Sequence, residues 1–297
     1  MVAPGGGFLE PSTLVRGVRG LESLGLTVEL GQTAQAAQGQ LPLSDHERAD
    51  DLLDMLERPD IAGVVCLHGG GRTLRMARAL SADRVAHLSE VKPKPFVGFS
   101  DMTVIHAVLK RVGWASFYGP MIGSLADASE YTLHGLERAI MGTQPIQIAP
   151  DPDHTWVHTL VPGVAEGELA GGCLTLLAHL VGTPWQVSLA RKIFCFEDVN
   201  EEPYVIERYL GQLLAANCLQ GCAGIVIGEH VNCEGSHPGP TLALEQVFLD
   251  LLAPLGVPIL YHLPFGHGRH MATLPLGVRA RMDAGRGTLA TLECCVD

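Results

Sequence analysis

The sequence predicts a two-domain α/β protein, and three observations support this class. Short apolar runs alternate with amphipathic segments along the chain, as expected for strands with helices between them. The length of 297 residues is enough for two domains with buried cores. Hydrophobic residues make up 47% and charged residues 18%, which is typical of a globular protein. We expect an N-terminal parallel sheet flanked by helices, Rossmann- or flavodoxin-like, and a second, smaller α/β domain.

Residues 1–142 are expected to form the first domain. Ser44 and Glu47 have the spacing of a capping box, which predicts a helix that runs through Leu56. The continuous apolar runs in this half predict buried parallel strands. The predicted strands are Thr27–Leu30, Gly63–Gly69, Pro95–Phe99 and Ser116–Ile122. The other predicted helices are Pro11–Leu24, Thr73–Leu80, Met102–Val112 and Tyr131–Ile140.

Residues 143–163 are expected to be a linker, because this stretch is rich in proline and lacks a helical period. Residues 164–297 would then form the C-terminal domain. Its predicted strands are Lys192–Asp198, Ala223–Glu229 and Pro258–Pro264. Its predicted helices are Pro203–Leu214 and Leu242–Leu252.

Composition restricts the classes of partner and compartment. The formal net charge of −12 makes nucleic acid and anionic membrane surfaces unfavourable partners. No apolar run approaches the roughly 18 residues of a spanning helix, and the N-terminus lacks the pattern of a secretory signal. Several of the 8 cysteines lie inside apolar runs, which is typical of reduced thiols. We therefore expect a cytoplasmic protein.

No metal or cofactor is expected from the sequence. Cys218, Cys222, His230 and Cys233 do not have the spacing of a zinc site. Two glycine runs resemble a dinucleotide-binding loop. The pattern G-x-G-x-x-G fails, however, at Leu74 in one run and at Glu10 in the other.

Ser100 stands where a predicted strand turns into a predicted helix, in the stretch PFVGFSDMT. One interpretation is helix capping, since Ser is a preferred N-cap residue and Asp101 suits the first turn. The other is a nucleophile elbow, in which the hydroxyl points out of the fold and the next N–H faces an oxyanion. Met102 occupies the place of the second glycine in G-x-S-x-G. The local pattern alone therefore favours the cap.

A nucleophilic Ser would need a base and an acid that orients the base. His267 lies between two glycines directly after a predicted strand, where a ligand can approach closely; its alternative is an ordinary solvated loop histidine. Glu197 and Asp198 end another apolar strand, where a buried carboxylate needs a partner. Glu201 and Glu202 are assigned instead to the start of the next helix.

An oxyanion hole would need two N–H donors. The N–H of Asp101 is one candidate. The glycine run His68–Arg72 follows a predicted strand and offers the second donor at Gly70 or Gly71.

Five segments in order resemble the LD-carboxypeptidases, the muramoyltetrapeptide carboxypeptidase family of serine peptidases. They are VAPGGG; SDHERADDL with the later HGGG; GFSDMT with FYGPM; GGCLTLLAHLVGTP; and FEDVNEEPY with LPFGHG and LPLG. The resemblance spans nearly the whole chain. It implies that Ser100 is the nucleophile, Glu197 the orienting acid and His267 the base, which reverses the preference for a cap.

The resemblance also implies a function. The expected reaction is release of terminal D-Ala from muropeptide tetrapeptides by hydrolysis of an L,D-peptide bond in cell-wall recycling. The related microcin C self-immunity peptidases, which cleave a peptidyl-adenylate mimic, are the closest alternative. A non-catalytic two-lobed binding protein is the alternative from another class. The expected partner is a small peptide substrate, without cofactor or metal, and a homodimer is the candidate assembly.

This chain departs from the family pattern at two motifs. His68-Gly69-Gly70-Gly71-Arg72 stands where the family usually has R-G-G-Y-G, and Cys173 replaces the Asn of G-G-N-L. A carboxypeptidase must recognise a free carboxylate, and Arg72 is the cation left in the altered loop. Its alternative role is that of a solvated residue in the first turn of a helix, which the sequence slightly favours.

Overall fold

The computed structural model describes residues 1–6, 9–38, 43–148, 150, 157–235 and 243–296. The helices are α1 (Pro11–Glu22), α2 (Gln32–Gln38), α3 (Asp45–Glu57), α4 (Thr73–Ala77), α5 (Ala82–His87), α6 (Thr103–Arg111), α7 (Ile122–Leu125), α8 (Glu130–Met141), α9 (Leu174–Leu180), α10 (Pro203–Ala215) and α11 (Leu244–Leu252). The strands are β1 (Val64–Val65), β2 (Phe96–Gly98), β3 (Ser116–Tyr118), β4 (Gln147–Ile148), β5 (His158–Val161), β6 (Val164–Cys173), β7 (Lys192–Val199), β8 (Gly224–Val231), β9 (Ile259–Gly266), β10 (Leu274–Leu276), β11 (Arg279–Asp283) and β12 (Thr288–Thr291). The mixed α/β class predicted from the sequence is confirmed.

The chain divides into two compact units of similar length. Unit 1 comprises residues 1–142, 273–275 and 296, and unit 2 comprises residues 143–272, 276–295 and 297. Residues 273–275 return to unit 1 through β10, which is the last strand of the first sheet.

Unit 1 contains a sheet in the order β1-β2-β3-β10, with β1–β2 and β2–β3 parallel. The predicted strand Thr27–Leu30 is wrong, since the chain there is irregular between α1 and α2, and the other strands are shorter than the apolar runs predict. The run Gly63–Gly69 is a strand only at Val64–Val65, with Cys66 in a parallel bridge to Val2. Beyond Tyr118 the predicted strand has already ended, and Ile122 begins α7. Each of these strands stops early because the chain turns into a loop or helix at its C-terminal end.

The start of α3 follows the capping-box prediction. The Ser44 hydroxyl accepts a hydrogen bond from the Glu47 N–H, and the Glu47 carboxylate accepts one from the Ser44 N–H. Leu52, Leu53 and Leu56 on this helix are at most 2% exposed and belong to the core of unit 1.

Unit 2 contains an eight-stranded sheet in the order β4-β12-β11-β6-β7-β8-β9-β5. The four central strands, β6 to β9, are parallel, and the flanking strands are antiparallel. Phe194 and Phe196 on β7 are fully buried with Phe248 of α11 in one core cluster. The C-terminal ends of the parallel strands thus share one edge of this sheet, where ligands bind in α/β proteins.

The described part of the predicted linker, residues 143–163, contains two strands. β4 pairs with β12, and β5 pairs with β9, so both extend the sheet of unit 2. Residues 149 and 151–156 of this range lie outside the described residues. All eight cysteines are free thiols. Within the described ranges, no helix has the length and apolar character required to cross a membrane.

Candidate active site

Ser100 occupies a strained turn directly after β2. Its φ is 60°, in the left-handed region that a non-glycine residue rarely adopts. It opens a short 3₁₀ helix, Ser100–Met102, which continues into α6. The Ser100 hydroxyl caps neither helix and has no hydrogen bond within the described part of unit 1. This geometry is that of a nucleophile elbow and leaves the capping interpretation without its hydrogen bond.

Tyr118 and His106 fix the backbone of this turn through hydrogen bonds. The Ser100 N–H donates to the Tyr118 hydroxyl at 3.0 Å. His106 is bonded through Nε2 to the Gly98 carbonyl at 2.9 Å and through Nδ1 to the Ser116 hydroxyl at 2.8 Å. Burial lowers the pKa of His106 to about 4, so the ring is neutral and Nε2–H is the donor to Gly98. The end of β2 is thereby fixed where Ser100 begins.

Asp101 joins the elbow to the glycine loop. Its carboxylate Oδ2 accepts hydrogen bonds from the N–H groups of Arg72 and Thr73, both at 3.1 Å. The Thr73 hydroxyl donates to the Asp101 carbonyl at 2.6 Å. Asp101 is only 1% exposed, and these donors satisfy its buried charge. Its backbone N–H has no hydrogen bond within the described part of unit 1.

Glycines allow the loop to approach both the elbow and the N-terminus. A Cβ built on Gly69 would lie 3.5 Å from the Ser100 Oγ, so this loop borders the Ser100 hydroxyl. Gly70 has φ +142°, and a Cβ there would lie 2.8 Å from the Gly5 carbonyl oxygen. The opening VAPGG segment and the His68–Arg72 loop therefore pack backbone against backbone.

In unit 2, Glu197 and His267 form a hydrogen-bonded pair. Glu197 lies on β7 with a fully buried side chain, and its Oε2 is 2.7 Å from Nδ1 of His267. His267 follows β9, and its side chain is 17% exposed. A fully buried carboxylate requires such a partner, and the bond fixes the orientation of the imidazole. Ser100 belongs to unit 1, so this pair and the elbow come from different units.

Gly266 makes room for the Glu197 carboxylate. A Cβ on Gly266 would lie 2.4 Å from Oε2 of Glu197, and its φ of +104° disfavours other residues. We expect Gly266→Ala to displace the carboxylate or the His267 loop, with a stability loss of about 1–3 kcal/mol from backbone strain alone. We expect the turnover of this variant to fall as well, and both turnover and thermal unfolding should be measured on the same preparation. Gly211→Ala is the matched control, because a Cβ there meets nothing within 4 Å. A Gly266→Ala variant with wild-type turnover would contradict this account.

Asp198, beside Glu197, has a different set of contacts. Its Oδ2 accepts from the N–H and the hydroxyl of Thr175, both at 2.8 Å, at the start of α9. Its Oδ1 accepts from the Val199 N–H at 2.9 Å. Burial raises the pKa of Asp198 to about 6 despite these bonds. The residue therefore ties β7 to α9, whereas Glu197 faces the imidazole.

Two buried histidines predict acid lability. Burial lowers the pKa of His106 and of His230 to about 4, from 6.5 in the unfolded chain. Such groups stabilise the fold above pH 6.5 and lose that contribution as the pH falls towards 4, by about 3 kcal/mol each. The raised pKa of Asp198 opposes this trend, because its protonation favours the fold at low pH.

The His230 contribution can be isolated by substitution. Its Nε2 has no hydrogen-bond partner in the described part of the chain, and its ring contacts Phe196 and Phe248 at centroid distances of 5.7 and 5.1 Å. We expect His230→Phe to flatten the fall in unfolding free energy between pH 7.5 and 4.5, measured by urea denaturation. The exposed control His46→Gln should keep the wild-type slope. Equal slopes for all three proteins would contradict a neutral, buried His230.

Sequence reasoning overlooked two supporting residues of these sites, Tyr118 and His106, and the contacts of a third, Asp198. Tyr118 stands in the FYGPM segment, which carries the family resemblance, but the sequence gives it no role. His106 is the single histidine of the apolar helix α6, and the sequence gives it no role either. The contacts of Asp198 depend on the pairing of β6 with β7, which places Cys173 opposite Glu197. The signal for Asp198 in the sequence is its position at a strand end, next to a second carboxylate.

Comparison with known proteins identifies the family of this chain. The family model for the LD-carboxypeptidase N-terminal domain matches residues 1–119, and that for the C-terminal domain matches residues 166–282. The chain therefore belongs to the LD-carboxypeptidase family.

Individual relatives cover almost the full length of the chain. A Bacillus subtilis protein named "Probable murein peptide carboxypeptidase" is 34% identical over 97% of this chain and 89% of its own length. The structure of a muramoyltetrapeptide carboxypeptidase from Oxalobacter formigenes superimposes with a TM-score of 0.79 at 31% identity, covering 97% of this chain and 96% of that one. An MccF-like protein from Bacillus anthracis has a TM-score of 0.86 at 22% identity, covering 98% and 95%, and shares the fold.

Proposed function

We propose that this protein is a serine carboxypeptidase that releases terminal D-Ala from murein tetrapeptides by hydrolysing the L,D-peptide bond. Membership of the LD-carboxypeptidase family supports the class of reaction. The relatives named for murein peptides are 34% and 31% identical, whereas the MccF-like structure is 22% identical. The eight free thiols favour a reducing compartment, and we propose a cytoplasmic location.

The observation that carries the proposal is the 2.7 Å bond between Glu197 and His267 Nδ1. With Nδ1–H donating to Glu197, Nε2 is the nitrogen that takes the proton from Ser100 as Oγ attacks the scissile carbonyl carbon. The carbonyl π electrons move to the oxygen and form an oxyanion. The imidazolium then gives its proton to the leaving amine of D-Ala as the C–N bond breaks.

Water completes the reaction. His267 Nε2 takes a proton from the water as its oxygen attacks the acyl-enzyme, and the Ser100 Oγ leaves with the returned proton. Glu197 stays ionised throughout and stabilises the positive imidazole. Protein side chains and water supply and take up every proton in these steps.

The oxyanion is proposed to bind between the Asp101 N–H and a loop N–H at Gly70 or Gly71. The Asp101 N–H has no hydrogen bond within the described part of unit 1 and directly follows the strained Ser100. The φ of Gly70 and the packing of Gly69 against Ser100 support a donor from this loop. Removing one such donor typically costs about 10²–10³ in kcat.

Release of D-Ala from a purified murein tetrapeptide tests the function. We expect stoichiometric D-Ala and tripeptide with the wild-type protein. A peptidyl-adenylate mimic, assayed beside it, represents the microcin C alternative. Faster cleavage of the mimic, with no D-Ala from the tetrapeptide, would transfer the protein to that function. Failure to cleave either substrate would favour a non-catalytic protein, an alternative that no finding supports at present.

A further inference from the structure

Three arginines gather beside the glycine loop of unit 1. Arg48 lies on α3, Arg72 ends the loop and Arg75 lies on α4. The Asp45 carboxylate bonds to the Arg48 guanidinium through Oδ1 and to Nε of Arg75 through Oδ2, the latter at 2.7 Å. One carboxylate therefore serves two guanidinium groups. Arg72 has no ion pair within the described part of the chain, so the cluster has an excess of positive charge.

Arg48 is a buried cation with an unused donor. Its side chain is 3% exposed, and Nη1 donates to the Pro4 carbonyl at 2.8 Å. Its Nε has no hydrogen-bond partner in the described part of the chain. Asp45 and the nearby Asp101 supply two carboxylates beside three guanidinium groups, and this balance favours an additional anion nearby.

Hydrogen bonds link the arginine cluster to the residue that follows Ser100. The Arg72 N–H donates to the carboxylate of Asp101, which is the residue after Ser100. A Cβ built on Gly6 would lie 3.3 Å from Nη1 of Arg48 and 3.6 Å from Cδ of Arg72. The two arginine side chains therefore converge on the same glycine of the VAPGG segment.

We propose that Arg72 binds the terminal carboxylate of the peptide substrate. This inference rests on the proposed function, because a leaving D-Ala carries its carboxylate within about one residue, roughly 3.8 Å between Cα atoms, of the scissile bond. The planar guanidinium binds a carboxylate through two parallel hydrogen bonds. Asp45 occupies Arg48 and Arg75 and leaves Arg72 as the contact residue. The other three are positioning residues, and Arg48 fixes the Pro4 carbonyl, next to the glycines against which the loop packs.

The location of His68 supports this assignment. It holds the position of the family's arginine, yet a Cβ on Gly123 of α7 would lie 3.5 Å from its Nδ1. His68 therefore packs beside α7, while Arg72 covers Gly6. The cation that contacts the substrate would thus lie at Arg72, four residues after the position that the arginine occupies in the family.

Paired peptides test the assignment: one tetrapeptide with a free terminal carboxylate and the same peptide amidated. For Arg72→Ala we expect kcat/KM on the acid to fall about ten- to a hundredfold, with no change on the amide. Arg72→Lys should restore part of the loss. The control is Arg78→Ala, an exposed arginine at the end of α4 that should behave as wild type. Equal losses on acid and amide, or no loss on either, would overturn carboxylate recognition by Arg72.

Binding separates this inference from the proposed function. Calorimetry with Ser100→Ala and Ser100→Ala/Arg72→Ala should show that the acid peptide binds more tightly than the amide only when Arg72 is present. If the wild type releases no D-Ala but this difference persists, the function fails and the carboxylate site stands. If D-Ala is released and both variants bind acid and amide equally, the function stands and the carboxylate site fails. Absence of both turnover and binding overturns both.

Discussion

Ser100→Ala is expected to abolish peptide hydrolysis and leave the fold intact. Loss of a triad nucleophile typically lowers kcat by about 10⁶-fold. The cost in stability should be small, because the hydroxyl caps no helix and has no hydrogen bond within the described part of unit 1. Single-turnover assays and urea denaturation of the same preparations measure both quantities. More than a tenth of wild-type turnover would remove Ser100 from the nucleophile role.

A second variant controls for the strained backbone. At φ 60°, glycine avoids a penalty that an L residue with a Cβ incurs, of about 1–2 kcal/mol. Ser100→Gly should therefore be as inactive as Ser100→Ala but more stable. A less stable glycine variant would show that the left-handed turn is not a feature of the folded protein.

Glu197→Gln is expected to lower kcat by several orders of magnitude, about 10⁴-fold where an orienting acid is replaced by its amide. The amide can present its NH₂ to Nδ1 and stabilise the tautomer with the proton on Nε2, which cannot accept the Ser100 proton. Asp198→Asn should be much milder for kcat, because Asp198 contacts Thr175 and the Val199 N–H. Its cost should appear in the unfolding free energy.

The comparison of these two carboxylates is internally controlled, since both are buried neighbours on β7. If Asp198→Asn lost more turnover than Glu197→Gln, the acid would be assigned one position too early. If both variants unfolded at lower urea without a difference in kcat, neither carboxylate would orient His267.

The sequence predicts the parallel strands that carry the site because their residues are apolar on both faces. Phe194 and Ile225 exemplify such strands, and helical spacing identifies the helices between them. β11 and β12 escape prediction because they are short antiparallel strands in which more and less buried residues alternate over only four or five positions.

In the candidate site, too, the sequence predicts some features and not others. Ser100, Glu197 and His267 can be selected from strand ends and from a family resemblance. Their supporting contacts cannot, because they depend on register and on close backbone approach: a Cβ on Gly266 would meet Glu197, and one on Gly268 would lie 1.4 Å from Oε2 of Glu229. Glycine beside a histidine suggests a tight loop, but only the paired strands show which carboxylate fills the space.

Labelling with a fluorophosphonate probe tests the central claim, that Ser100 is an activated nucleophile, most directly. After digestion, mass spectrometry should find one phosphonylated peptide, with the adduct on Ser100, in the wild type. His267→Ala should label far more slowly and Ser100→Ala not at all. An adduct on another serine, or equal labelling of wild type and Ser100→Ala, would contradict the account.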